Sequence, residues 1–365
     1  MAWAESHRPP GAGTRGYCPI VADVIPGYAH RPAGKIVVEM PNPPEFDTMN
    51  GLTIPPDSSG AEETAKLAPR DPEELEAAGA PASAELAAST TVGAVHVAVA
   101  DLDRSIEYYD RAVGLDVLDR DGDSASLGSD GGELVCLVEE RGARPAAGHT
   151  GLYHFALLLP ARVELARWLA HAARDRVALV GLSDHFVSEA LYLSDPDEHG
   201  IEIYWDRPRQ LWEGQVADRM TTLPLDVDDL LGELQDPRSE PFDGLPSGTV
   251  MGHVHLKVAG VAETIGFYRD VLGFALMAQL GPYAAFLSAG GYHHHIGANT
   301  WESAGATPPP PGSAALRHAT ILLPDESERD RILERLEAAG RAPEHDARGL
   351  VIRDPSGNAL ALAIA

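Results

Sequence analysis

The residues best placed to do chemistry lie in one stretch, Asp184 to Glu202, which contains His185, Tyr192, Asp195-Pro196 and Glu202. It runs into Ile201-Glu202-Ile203-Tyr204-Trp205, whose alternation predicts a strand with Glu202 on one face and Ile201 and Ile203 on the other. A carboxylate on a half-buried strand needs a counter-charge or a metal ion. Further imidazoles open other apolar runs, at His96, His154, His255 and His318, and three more stand together as His293-His294-His295. His, Glu and Tyr in this number point to metal and acid/base chemistry rather than to a nucleophilic cysteine. The two cysteines, Cys18 and Cys136, form no CxxC pair, so neither a disulfide framework nor a thiolate metal site is indicated.

Composition narrows the class. The chain has 365 residues, 44% of them hydrophobic, enough for two ordinary cores. The formal net charge is -27, and Lys35, Lys66 and Lys257 are its lysines, which argues against a nucleic-acid partner. No apolar run approaches the roughly 20 residues of a membrane span, and the N-terminus reads as no signal peptide. A soluble protein of the reducing cytoplasm is the expectation, with the number of copies per assembly left open.

The elements that must position these side chains are read from a repeat. Residues 1–90 are broken by Pro9-Pro10-Gly11, Pro41-Asn42-Pro43-Pro44 and Pro55-Pro56 and are expected to be a largely disordered extension. Beyond them, Gly93-Ala94-Val95-His96-Val97 matches Gly252-His253-Val254-His255-Leu256, and Tyr109 to Leu115 matches Tyr268 to Phe274 at the same offset of 159 residues. Tyr153-His154-Phe155 likewise matches Arg317-His318-Ala319, and Asp195-Pro196 matches Asp354-Pro355. Four modules follow, near 92–140, 151–206, 250–301 and 314–365. Each predicts a strand, an amphipathic helix and three short strands, with Gly114 and Gly273 at helix C-caps. The fold expected is α+β, four βαβββ modules making two half-barrel domains, 91–206 and 250–365, joined by a linker over 207–249 with a packed helix near Leu223–Leu231.

On this module plan, with the phrase Gly291-Tyr292-His293-His294-His295-Ile296-Gly297 and the His185–Glu202 segment, the chain resembles the vicinal oxygen chelate superfamily. Within it the chain is most similar to two-domain extradiol dioxygenases of the catechol 2,3-dioxygenase type. The family pattern places His185, Leu191, Tyr192, Asp195, Pro196 and Glu202 at fitting spacing, while Ser183 and Glu198 stand at its two glycine positions. Module four has Val351 and Ala361 in place of Tyr192 and Glu202.

The resemblance implies a metal site of two first-strand histidines and one last-strand acid. His154 and Glu202 belong to every version of it. The third ligand is His96 if modules one and two pair, or His255 if modules two and three pair, and the histidine run after His255 favours the second. The expected set is therefore His154, His255 and Glu202 as ligands to Fe(II), with Mn(II) the alternative, and His294, His185 and Tyr192 as catalytic groups. His293 and His295 compete with His294 for the acid/base role, while His199 and His253 receive none. The implied reaction inserts O2 into a catechol-type aromatic diol, giving a muconic semialdehyde. Two other activities share the fold: a glyoxalase-like, metal-dependent isomerase or thiol transferase, and a non-catalytic drug-binding resistance protein.

Overall fold

The computed structural model describes residues 85–346 and 349–365. Most of the expected N-terminal extension lies outside these residues. Its last part is packed: Leu86 is buried and its N–H donates to the carbonyl of Gly273 at 2.8 Å.

Each module contributes one helix and four strands to two large sheets. Module one supplies β1 (Thr91–Val99), α1 (Leu102–Tyr108, carried on to Val113 by a wider turn), β2 (Asp116–Asp121), β3 (Ser124–Ser129) and β4 (Gly132–Glu139). Module two supplies β5 (Gly151–Leu158), α2 (Arg162–Asp175), β6 (Gly181–Asp184), β7 (Ser188–Ser194) and β8 (Gly200–Asp206). Module three follows with β9 (Val250–Lys257), α3 (Val261–Ile265, extended to Leu272), β10 (Ala275–Leu280), β11 (Ala284–Ser288) and β12 (Ile296–Asn299). Module four ends the chain with β13 (Leu316–Leu323), α4 (Glu326–Ala338), β14 (Glu344–Asp346), β15 (Gly349–Arg353) and β16 (Ala359–Ile364).

The helices form where the sequence pattern asks for them. Asp101 and Asp325 cap α1 and α4 by accepting from the amides of Arg104 and Glu328 at 3.0 and 2.9 Å. Gly114 and Gly273 end the first and third helices at φ of 92° and 95°, a left-handed conformation that glycine adopts without strain. Leu165, Trp168 and Leu169 bury one face of α2, and the Trp168 indole donates to the Val113 carbonyl at 2.9 Å.

The sheets do not follow chain order. One runs β14-β15-β16-β13-β1-β4-β3-β2, and the other runs β6-β7-β8-β5-β9-β12-β11-β10 with Leu223–Pro224 at its outer edge. Modules one and four thus share a sheet, as do modules two and three, and each sheet is joined by an antiparallel seam between first strands. The convex faces carry the core: Val95, Val97, Phe155, Leu157, Ile201, Ile203, Val254 and Leu256 are fully buried. In the linker, Val227–Leu231 forms a short helix against α2, while Trp212 and Val216 pack with Phe286 and Tyr292 in the second sheet's cup. Among the described residues no helix is long and apolar enough to cross a membrane.

Two matching hydrogen bonds tie the sheets together. The Tyr109 hydroxyl donates to Asp195 at 3.1 Å, and the Tyr268 hydroxyl donates to Asp354 at 3.3 Å. All four residues are buried. The other oxygen of Asp195 accepts from the amides of Asp197 and His199, and that of Asp354 from Ser356 and Asn358, so each Asp-Pro pair organises the turn before a last strand.

In that turn Glu198 has φ of 67°, and its module-four counterpart Gly357 has φ of 84°. The family glycine position is therefore left-handed here although glutamate occupies it. Ser183, at the other such position, lies in extended β6. Glu198 is exposed, so its side chain adds little to offset the strain. Replacing it (Glu198→Gly) is expected to raise stability by about 1 kcal/mol, read as a higher urea midpoint at unchanged slope; an unchanged or lower midpoint contradicts it.

Candidate metal centre

The site follows from how four strands line up. Tyr192 on β7 faces Glu202 on β8, Glu202 pairs with Ala156 on β5, and Ala156 pairs with His253 on β9. These four side chains form one row across the concave face of the second sheet. The next row reads Gly200, His154, His255 and Gly297. Ala156, small and fully buried, leaves the gap over which Glu202 and His253 meet. His154 reaches the same point from the neighbouring row.

Three donor atoms therefore converge. Nε2 of His154 and Nε2 of His253 each lie 3.0 Å from the same oxygen, Oε2 of Glu202, and 3.3 Å from one another. The three residues are 6%, 1% and 2% exposed. Burial would push the Glu202 carboxyl up, but the two imidazoles override it and hold the group well below the usual range. Burial pushes His253 down, against the pull of Glu202, towards the neutral form that ligates metals. Two imidazoles and one carboxylate on one face fit a divalent first-row metal and leave open positions for other ligands.

His255 had been the expected partner of His154 and Glu202, yet the imidazole that reaches Glu202 is that of His253. His255 sits directly across the seam from His154, one row away from the acid. Residues 253 and 255 share a face, so alternation cannot choose between them, whereas the register of β9 on β5 does. One sequence signal could have found His253: His154, His253 and His318 each stand eight residues before the following helix starts, at Arg162, Val261 and Glu326. The same spacing in module one falls on Ala94.

His96 lies in the other sheet, stacked on His318 with ring centres 3.9 Å apart, and so takes no part beside Glu202. His96, Glu133 and Cys136 form a second, less buried group of metal-type donors there. In that sheet Val351 faces Ala361, and both pack in an apolar cluster where the other sheet has Tyr192 and Glu202.

The remaining predicted residues are brought to the centre. The Tyr192 hydroxyl and Nε2 of His185 are 2.8 Å apart, and Nδ1 of His185 is 2.8 Å from the carbonyl of Thr221. A carbonyl only accepts, so Nδ1 carries the proton and Nε2 accepts from Tyr192. Burial keeps His185 in this neutral form.

The His293–His295 run precedes β12 rather than alternating along it, and its three rings go to separate partners. His295 accepts from the Ala289 amide at 3.2 Å, away from the centre. His293 links Asp206, 2.8 Å from its Nε2, to His294, whose Nδ1 is 2.8 Å from Nδ1 of His293. The carboxylate fixes the protons: His293 donates to Asp206, His294 donates to His293, and Nε2 of His294 is left with a lone pair. The His294 ring is 4.1 Å from that of His253, and burial followed by the neighbouring imidazoles holds it well below its ordinary pKa. A cavity of about 590 Å³, with Tyr153, His154, Tyr192 and Lys257 in its wall, opens beside the centre.

Comparison with known proteins agrees with this architecture. The model of the Glyoxalase/Bleomycin resistance protein/Dioxygenase superfamily matches residues 91–203 and 250–362. A catechol-2,3-dioxygenase of Bacillus subtilis (strain 168) is 41% identical over 274 residues, covering 73% of this chain and 94% of that protein. Among solved structures, a putative dioxygenase from Bacillus subtilis aligns with a TM-score of 0.52 at 15% identity, covering 77% of this chain and 86% of its own. With two matched segments spanning most of the four-module body, the chain belongs to the Glyoxalase/Bleomycin resistance protein/Dioxygenase superfamily.

Proposed function

We propose that this extradiol dioxygenase holds a ferrous ion on His154, His253 and Glu202 and uses O2 to open a catechol-type aromatic diol beside its hydroxyl pair, giving a muconic semialdehyde. The observation that carries the reading is the convergence of two imidazoles and one carboxylate on a single point of a buried cup. The 41% identical relative, named a catechol-2,3-dioxygenase, supports the substrate class. The donor set suits Mn(II) as well.

Held by His154, His253 and Glu202, a ferrous ion would supply Lewis-acid and redox chemistry toward a diol and O2 and would make a bound hydroxyl easier to deprotonate. The protein's own groups manage the protons. His294, with its Nε2 lone pair set by the Asp206–His293 chain, serves as base toward a substrate hydroxyl and can return the proton later as acid. Tyr192, held by His185, keeps its oxygen available to accept from a substrate hydroxyl. Tyr153, Phe286 and Trp301 wall the cup and exclude water.

Three outcomes check this. Single replacements His154→Ala, Glu202→Ala and His253→Ala should each weaken iron binding by on the order of 100-fold or more, while His255→Ala keeps it near native, as read by titration under nitrogen and metal analysis. Retention of iron by His253→Ala would return the third ligand to His255. Anaerobic loading with ferrous iron followed by O2 should then give diol-dependent oxygen uptake and a ring-opened product. His294→Gln should lower kcat by about 10²–10⁴-fold with iron retained, and no uptake with any catechol would sink the reading.

A further inference from the structure

His255 stands beside the candidate metal centre without a place in the proposed ligand set. His255 is 4% exposed, and its Nε2 is buried with no hydrogen-bond partner among the described residues. Buried polar side-chain atoms are nearly always paired, and leaving one unpaired costs about 1–3 kcal/mol. Such an atom beside a candidate active centre marks a place where a ligand completes the bonding.

Its surroundings define the ligand. The His255 ring is enclosed by Tyr153, Phe286 and Trp301, with ring centres 5.3, 5.7 and 5.7 Å away, and by His154 at 5.0 Å. Three aromatic walls suit another aromatic ring.

The placement is built into the backbone. A Cβ on Gly297, the next residue in the same row, would come within 2.8 Å of Cγ and Nδ1 of His255. Gly297 lies in β12 and has an ordinary strand conformation, so it owes its glycine to this contact and not to a turn. The strand leaves room for the ring and holds it against the His154 side of the centre.

We propose that His255 reads a hydrogen-bonding substituent, such as a hydroxyl, ether or carbonyl oxygen, on the aromatic diol, and so sets ring specificity. The inference rests on the reading that an aromatic diol occupies this cup. Apolar walls alone discriminate weakly between a methyl group and a hydroxyl, whereas a buried group left unpaired by the wrong ligand discriminates strongly.

The test is equilibrium binding, measured by calorimetry on the full-length, ferrous protein under nitrogen, with metal content determined for every sample. Two pairs of catechols are compared, hydroxyl against methyl at the ring position next to the diol and at the remote one. The native protein should bind the hydroxyl member of one pair about tenfold or more tighter. In His255→Leu that preference should fall to within about twofold, with iron retained; His255→Asn should restore part of it, and Gly297→Ala should lose it by displacing the ring. No preference in the native protein, its survival in His255→Leu, or loss of iron in His255→Leu and His255→Asn alike would each overturn the inference. Should the preference appear without diol-dependent oxygen uptake, ring cleavage fails and the recognition role of His255 stands.

Discussion

The antiparallel seam between β5 and β9 is the constraint on which the candidate centre depends. His154 and His253 are 99 residues apart in the chain, and Glu202 and His253 are 51 apart, so nothing local brings them together. The ladder places Ala156 opposite His253, and the parallel pairing of β5 with β8 places Glu202 on the other side of Ala156. The cost of burying a carboxylate is met only because two imidazoles arrive at it. A shift of the seam by one residue would turn every donor of β9 to the core.

The two sheets are the same construction used twice, with different outcomes. Matching Tyr–Asp hydrogen bonds, Tyr109 to Asp195 and Tyr268 to Asp354, link each sheet to the other, so both are needed to hold the turns before β8 and β16. In the sheet of modules two and three the concave row carries Tyr192, Glu202 and His253. The other sheet has Val351 and Ala361 in the corresponding row, with Ala94 two residues before His96. In this row one sheet carries donors and the other apolar side chains, and the other sheet's metal-type donors, His96, Glu133 and Cys136, are less buried.

Around the donors, polar groups are ordered from fixed ends. Thr221's carbonyl sets the tautomer of His185 and hence the direction of the Tyr192 hydroxyl; Asp206 sets His293 and, through it, His294. Preorganisation of this kind matters because a base must have its lone pair aimed before the substrate arrives. The linker contributes to it, through Thr221 and through Trp212 and Val216 in the cup, so it acts as part of the site and not only as a connection.

Much of this was legible in the sequence because it is local or repeated. The four modules, the capped helices, the glycines that end α1 and α3, and the hairpin that sets Tyr192 against Glu202 depend on residues close together in the chain. The left-handed turn at Glu198 could be placed from the Asp-Pro pair beside it. What alternation could not decide was the choice between His253 and His255, which share one strand face and differ only in which row of the neighbouring sheet they meet. That depends on the register between strands from different modules, set by packing over the whole sheet. The sequence by itself determined which residue types could build a metal centre and on which strands, and the tertiary structure decided which imidazole meets the acid and which stands one row away.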